Sequence, residues 1–233
     1  ESKEQLSDSS APPIRQVSIG VGDNAIKVGG ETVMFRHEKT FFNKPGFAIL
    51  ITTDMDDDEI QKRFSKLGYL QYERVGQVLK PELVALKDTG NREKFLAIVK
   101  KACNEPYGIM LMSGNLDTMR AALDISKENK PLIYAATLDN CEAFGSLAKE
   151  YSCPIAVKGQ GLEGVSVLTD KLAGMGLKDI FIDTSTREIK EGFQEQVIIR
   201  RAALLNKVKS LGFPTITFPC EMTGDIMKEA LIA

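Results

Sequence analysis

The stretch YGIMLMSGNLDTMRAALDISKENKPLIYAAT, residues 107–137, decides the fold class. It begins and ends with a nearly continuous apolar run, at 107–113 and at 131–137. Continuous rather than alternating apolar runs are typical of strands that are buried on both faces of a parallel sheet. The amphipathic segment between the two runs is long enough for a crossover helix, so the stretch predicts one β–α–β unit.

The same alternation continues outward in both directions from this stretch. Seven apolar runs begin 22 to 36 residues apart, at 47–52, 83–88, 107–113, 131–137, 153–159, 179–184 and 215–220. Seven βα units in series predict an α/β fold of the TIM (β/α)8 barrel type rather than an open doubly wound sheet. Because a closed barrel of this type has eight strands, we expect the barrel in residues 47–233 to be truncated.

Other segments frame this predicted barrel. Residues 17–46 alternate apolar and polar side chains around Gly-Asp-Asn and Gly-Gly, which predicts an N-terminal β-hairpin region at the amino-terminal end of the barrel. Residues 1–16 are polar and contain Pro12-Pro13, a composition that predicts a linker. A 3.6-residue apolar period over 191–213 predicts a long helix that ends before Pro214.

Composition excludes several classes of protein. The 233 residues have 43% hydrophobic residues and a net charge of −2, which is typical of a globular chain and favours neither nucleic acid nor an anionic membrane as a partner. No apolar run approaches the roughly 20 residues that span a bilayer. The four cysteines are scattered and histidine occurs once, so we predict reduced thiols in a cytoplasmic protein and no metal site within this chain.

Candidate site residues come from the positions just after each predicted strand, which form the functional end of a TIM barrel. Asp88, Asn115 and Asp183 lie there, as does Glu221 after the last apolar run. Carboxylates and amides can pair with the edge of a pterin ring, but Asp88 and Asn115 are also typical of helix caps. We find no nucleophile–base pair and assign no catalytic residue.

Two further residues have alternative interpretations. Lys158 in VKGQG is placed where a Schiff-base lysine of an aldolase-like barrel would lie, although the following Gly159 and Gln160 favour a turn. His37 in FRHEKT is interpreted as a surface or packing residue rather than a base.

From about Val17 onward the chain resembles the large (gamma) subunit family of the corrinoid iron–sulfur protein of the acetyl-CoA pathway. The most specific stretch is GGETVMFRHEKTFFNKPGFAILITTD at 29–54. Three shorter segments also resemble the family: LMSGN (111–115), PLIYAAT (131–137) and ITFPCEM (216–222).

The resemblance implies a cluster domain, a central TIM barrel and a cobalamin-binding domain, of which only the barrel is expected in this chain. It implies cobalamin and a 4Fe–4S cluster as cofactors of the full-length protein. It also implies three partners: the small subunit of a heterodimer, a methyl-tetrahydropterin methyltransferase, and carbon monoxide dehydrogenase/acetyl-CoA synthase. The implied function is transport of a methyl group on cobalamin from the pterin to acetyl-CoA synthase.

Two alternatives remain open at this point. The barrel could be a pterin-binding methyltransferase that uses Asp88, Asn115 and Asp183, or an aldolase-like enzyme that uses Lys158.

Overall fold

The computed structural model describes residues 11–35 and 42–233. These residues form ten strands: β1 Val17–Ile19, β2 Ile26–Val28, β3 Ala48–Thr52, β4 Tyr72–Arg74, β5 Gln77–Leu79, β6 Leu83–Lys87, β7 Gly108–Met112, β8 Leu132–Ala136, β9 Ile155–Lys158 and β10 Ile180–Asp183. They also form eight α-helices: α1 Asp57–Leu67, α2 Arg92–Ala102, α3 Leu116–Ser126, α4 Cys141–Tyr151, α5 Gly161–Gly174, α6 Ile189–Leu204, α7 Pro219–Met222 and α8 Ile226–Ile232.

Six of the strands form one parallel sheet in the order β3-β6-β7-β8-β9-β10. Each strand therefore pairs with the strand of the next βα unit along the chain, and the strand order does not reverse. A doubly wound sheet reverses its strand order, whereas a (β/α) barrel keeps chain order throughout. The sheet is thus compatible with a barrel-like α/β fold, and the first six predicted strands are confirmed.

The sheet is apolar on both faces, as the continuous runs predict. Side chains such as Ile51, Leu86 and Ile109 point to one face and pack with the helices in the larger core. Their neighbours along the strands, such as Ala85 and Met110, point to the other face and form a second cluster. Burial on both faces explains why these strands do not alternate in sequence.

The predicted N-terminal hairpin is present, because β1 and β2 pair antiparallel. Val17 and Ile19 of β1 are buried in the second cluster with Leu83 and Leu132, the first residues of β6 and β8. The hairpin therefore contacts the amino-terminal end of the sheet. Ahead of it, in the segment predicted as a linker, Ile14 is buried against Ala203 and Leu204.

The predicted strand at 215–220 is wrong beyond its first residues. Ile182 donates to the Pro214 carbonyl and accepts from the Ile216 amide, both at 2.8 Å, so only an isolated bridge extends the sheet past β10. Pro219 then begins the short helix α7. A proline has no N–H for a strand ladder and is favoured at the start of a helix, so it ends this strand early. A closed TIM barrel is not confirmed in the described residues.

The predicted helix over 191–213 is also shorter than expected. Helix α6 ends at Leu204, and Lys207 adopts a left-handed backbone conformation with φ of 54°. A short 3-10 turn at 209–211 follows before Pro214.

Within residues 11–35 and 42–233, no helix combines the length and apolar character that a membrane span requires.

Candidate functional site

The carboxyl ends of the strands bring together polar side chains from well-separated parts of the sequence. Asp183 is the last residue of β10, Tyr134 lies in β8, and Lys87 ends β6. Glu221 comes from α7, which begins at Pro219, after the bridge at Thr215. Parallel strands place their carboxyl ends at one edge of the sheet, so these residues meet where a barrel would have its mouth.

Asp183 is the centre of this cluster and is only 2% exposed. Its two carboxylate oxygens accept a bidentate pair of hydrogen bonds from the Arg187 guanidinium at 2.9 and 3.0 Å. The Tyr134 hydroxyl donates to the same carboxylate at 2.5 Å, and the Ser185 amide donates at 2.8 Å. Asp183 is therefore a saturated acceptor, which leaves no free oxygen aimed at a ligand.

Glu221 extends the cluster and ties α7 to the sheet. It accepts from Arg187 Nε at 2.7 Å and from Lys87 Nζ at 2.8 Å. The neighbouring Phe218 ring packs edge-on against Tyr134, with 5.2 Å between centroids, and lies under the Arg187 guanidinium at 4.6 Å. The segment from 218 to 221 thus covers the mouth through one aromatic ring and two ion pairs. We call the set Lys87, Tyr134, Asp183, Arg187 and Glu221 the mouth network.

The pKa values in this network follow from burial and pairing. Burial, together with the adjacent Asp183 charge, raises the pKa of Tyr134, so the hydroxyl stays a donor. Burial acts to lower the pKa of Arg187, but its hydrogen bonds to Asp183 and Glu221 outweigh this and raise it. Burial acts to raise the pKa of Glu221, but hydrogen bonds from Lys87 and Arg187 lower it. Each group is thereby held in its ordinary charge state.

The other two predicted site residues have local structural roles. Asn115 caps α3, because its side chain accepts from the Thr118 amide at 2.9 Å. Asp88 accepts from the Gly90 amide at 2.9 Å and from Ser113 Oγ at 2.8 Å, which fixes the loop after β6. Neither side chain is joined to the mouth network by a hydrogen bond among the described residues.

Of the two residues with alternative interpretations, the structure describes Lys158 but not His37. Lys158 ends β9 in register with Asp183, but its side chain is exposed. A Schiff-base lysine is usually activated by desolvation or by a second cation, so this exposure gives the aldolase-like alternative no support. His37 lies outside the described residues.

The cysteines are free thiols that do not approach one another as metal ligands. In the described part of the chain, no group of three or more His, Cys, Asp and Glu side chains is placed to hold a metal ion. Burial raises the pKa of Cys153 to about 11, so this thiol is protonated at neutral pH and is a poor ligand or nucleophile.

Chemically, the hydrogen bonds and ion pairs of the mouth network join α7 and the loop after β10 to the sheet. Sequence position alone finds Asp183 and Glu221, because Asp183 lies at the end of an apolar run and Glu221 follows one. Tyr134 and Arg187 are missed, since Tyr134 is part of a strand and Arg187 lies four residues into a loop. The spacing Asp183-x-x-x-Arg187 is the one signal that could have suggested their pairing.

The free energy of unfolding should depend on pH through the ionisation of Glu221. Its pKa is lowered in the fold, so its ion pairs stabilise the protein fully above its ordinary pKa, near 4.5, and lose this effect as the pH falls through the lower folded value. Glu221→Gln should therefore cost roughly 1–2 kcal/mol at pH 7. Urea unfolding at several pH values should show the wild type and the variant converging below pH 4.5. A difference of the same size at every pH would contradict this.

Comparison with known proteins identifies the family. The chain matches the CO dehydrogenase/acetyl-CoA synthase delta subunit family (CdhD) over residues 16–230, and it belongs to that family. The resemblance found in the sequence is thereby confirmed.

Curated relatives carry more specific names. The chain is 35% identical over 216 residues to the corrinoid/iron-sulfur protein large subunit of Moorella thermoacetica, which covers 92% of this chain and 48% of the relative. It is 36% identical to the acetyl-CoA decarbonylase/synthase complex subunit gamma 2 of Methanosarcina thermophila, over 90% of this chain and 46% of the relative. For the gamma subunit of Methanopyrus kandleri the identity is 35%, over 97% and 50%. The chain spans about half the length of these relatives.

Proposed function

We propose that this chain is the barrel portion of a corrinoid iron–sulfur protein large subunit and acts there as a rigid scaffold. The whole protein would carry a methyl group on cobalamin from a methyl-tetrahydropterin to acetyl-CoA synthase. The names of the relatives from Moorella thermoacetica and Methanosarcina thermophila support this assignment. The barrel itself would hold the moving parts and the partner subunits close to one another.

The observation that carries the scaffold role is the closed mouth network. Asp183 has no free acceptor position, and Arg187 is engaged by Asp183, Glu221 and Tyr134. An active site needs a base or nucleophile that can reach a substrate. Here the strongest polar cluster among the described residues is committed to holding α7 against the sheet, which suits a scaffold better than an enzyme.

The cofactors of the proposed whole protein do not fit the residues described here. A 4Fe–4S cluster needs four converging thiolates, whereas Cys141 and Cys153 are buried separately and the described residues include no grouped ligand set. At the mouth, where a planar cofactor could lie over the strand ends, Phe218 and Arg187 already cover the sheet. In our proposal the cluster and cobalamin therefore belong to parts of the polypeptide beyond this chain.

The proposal includes a complete TIM barrel. Support comes from the unreversed strand order and from a cavity of about 600 Å³ on the inner face, between β3 and the segment at 213–220. Ala85, Met110 and Phe181 line this cavity, as they would line a barrel interior. With the bridged segment around Thr215 as the seventh strand, one further strand from the remaining half of the polypeptide would complete the eight.

We further propose the partners and location that this role requires. The barrel would bind the small subunit of the heterodimer, and the assembled protein would meet a methyl-tetrahydropterin methyltransferase and carbon monoxide dehydrogenase/acetyl-CoA synthase in the cytoplasm. The relatives named as subunits of a decarbonylase/synthase complex support a multi-subunit setting.

The test uses the natural full-length polypeptide that contains this sequence. After purification under reducing conditions, it should contain one corrinoid and four irons in roughly stoichiometric amount, and it should accept a methyl group from methyl-tetrahydrofolate or its archaeal analogue. The 233-residue chain alone should contain neither cofactor. A full-length protein without corrinoid would refute the proposal.

A substitution distinguishes the scaffold from a pterin-binding enzyme. Asp88→Asn should leave the rate of methyl transfer in the assembled full-length complex within about twofold of wild type, because Asp88 serves its own loop through Gly90 and Ser113. Stopped-flow absorbance with methyl-tetrahydrofolate measures this rate. A hundredfold fall in an intact complex, about 2.7 kcal/mol of barrier, would instead favour the pterin-binding alternative.

A further inference from the structure

One segment of the chain is strongly basic although the chain as a whole is slightly acidic. Residues 62–80 carry five basic side chains, Lys62, Arg63, Lys66, Arg74 and Lys80, and a single acid, Glu73. Arg63 is paired with Glu59, but the other four cations form no ion pair with any residue in the described ranges. We call residues 62–80, from the second half of α1 to the end of the β4–β5 hairpin, the basic hairpin face.

This face also exposes large apolar side chains. Tyr69 is 86% exposed, Tyr72 60% and Val75 93%, and Leu70 and Val78 are exposed as well. Strands β4 and β5 pair only with each other in the described structure. An isolated two-stranded hairpin is marginally stable in water, so a projecting hairpin with uncovered aromatic and aliphatic side chains is typical of a contact surface.

The turn of the hairpin contains a residue that such turns disfavour, and this residue is the most exposed apolar one of the face. Val75 and Gly76 form a two-residue turn, and both have positive φ, at 51° and 71°. Such turns strongly favour Asn-Gly, because a β-branched side chain is strained in the left-handed region. A valine at this position is unfavourable both for the backbone conformation and for hydration. Strain of this kind is concentrated at functional positions.

A cavity of about 400 Å³ continues the basic hairpin face toward the N-terminal hairpin. Lys80 and the following Pro81 form one wall, and Lys27 and Lys44 approach from the other side. The Lys44 ammonium already pairs with the partly buried Glu82. Lys27 and Lys80 form no ion pair with a described residue, and with Asp23 as the other charged lining residue the cavity rim has a small excess of positive charge.

We propose that the basic hairpin face is a docking surface for an acidic protein segment whose apolar side chains pack on Tyr69, Tyr72 and Val75. The charge of the face requires an acidic partner, since complementary charge steers association and excludes like-charged surfaces. Tyr69 and Tyr72 can each stack on a base, but the other three exposed apolar side chains, Leu70, Val75 and Val78, are aliphatic and offer no ring, so the face as a whole favours a protein over a nucleic acid. This inference does not depend on the methyl-carrier role.

The first test measures binding to the 233-residue chain by fluorescence anisotropy. The probe is a labelled peptide in which Glu alternates with Leu and Phe, and the comparison probes are the same peptide with Lys for Glu and an oligothymidine strand. The acidic peptide should bind at least roughly tenfold more tightly than either comparison probe, and less tightly at higher salt. Equal binding of the two peptides, or tighter binding of oligothymidine, would overturn the proposal.

Charge reversal locates the site. The combination Lys66→Glu, Arg74→Glu and Lys80→Glu should weaken binding of the acidic peptide at least roughly tenfold. The matched control, Lys100→Glu, Lys190→Glu and Lys209→Glu, changes the net charge equally at exposed positions elsewhere. It should bind within about twofold of wild type. Equal losses in both variants would mean non-specific attraction and would refute a defined docking surface.

Val75→Asn tests the role of the turn in peptide binding independently of its effect on folding stability. Asparagine suits a left-handed turn residue better than valine, so the thermal unfolding midpoint should stay the same or rise. Peptide binding should nevertheless weaken roughly threefold or more, because the apolar tip is removed. Unchanged binding in a stable Val75→Asn variant would show that the tip is not part of the surface.

Discussion

Asp183→Asn should destabilise the protein by about 3–5 kcal/mol, because it breaks a buried ion pair and leaves the other partner without compensation. The Asp183 carboxylate is 2% exposed and holds Arg187, Tyr134 and Ser185 together. An amide of the same shape can accept fewer hydrogen bonds and has no charge for Arg187. Urea unfolding at pH 7, followed by circular dichroism, measures the loss.

Two controls test whether the buried pair is the cause. Asp179→Asn removes a half-exposed carboxylate that lies 3.8 Å from Lys130, and it should cost less than about 1 kcal/mol. Tyr134→Phe removes only the hydroxyl donor to Asp183 and should cost roughly 1–3 kcal/mol. If Asp183→Asn reduced the free energy of unfolding no more than Asp179→Asn does, the mouth network would not be what holds α7 against the sheet.

The parts of the fold that could be predicted from sequence are those that local composition determines. Strands such as β7 and β8 are apolar over their whole length because both of their faces are buried, and this pattern needs no tertiary information. The segment at 215–220 also carries apolar residues, yet it forms only a bridge. Pro214 precedes it and Pro219 lies within it, and their missing N–H groups limit a strand more than its hydrophobicity favours one.

The β4–β5 hairpin was not predicted for a related reason. Its strands have three residues each and carry mixed polar and apolar side chains. Its turn is Val75-Gly76 rather than the Asn-Gly or Asp-Gly that marks such hairpins in sequence. The residue that hides the turn from sequence reasoning is the same one that we infer to contact a partner.

For the candidate site, position in the sequence identified individual residues but not which residues they contact. Asp183 could be placed at the mouth because it ends an apolar run. Its partners Tyr134 and Arg187 come from β8 and from the loop before α6, and only the folded sheet brings them within hydrogen-bond distance. The alternative interpretation of Asn115 as a cap is correct, since that contact with Thr118 is local in sequence.

Gly159→Ala should be among the most destabilising single-methyl additions in the chain. Gly159 follows β9 directly, and a Cβ atom there would lie 2.3 Å from the Val165 amide nitrogen and 2.6 Å from the Gly164 carbonyl carbon. Both are backbone atoms of α5, so no side-chain rotation can relieve the overlap. The strand end cannot retreat easily either, because the Gly159 amide donates to the Asp183 carbonyl at 3.0 Å. We expect a loss of about 3 kcal/mol or more.

Gly164→Ala is the matched control for Gly159→Ala, since it adds the same methyl group on the other side of the same contact. Its Cβ would meet its nearest neighbours at 3.5 Å, which is an ordinary packing distance. Because Gly164 lies inside α5, alanine should also stabilise the helix by roughly 0.5–1 kcal/mol. The two variants should therefore shift the urea midpoint in opposite directions. If Gly159→Ala unfolded within about 0.5 kcal/mol of wild type, the close approach of β9 to α5 would be refuted.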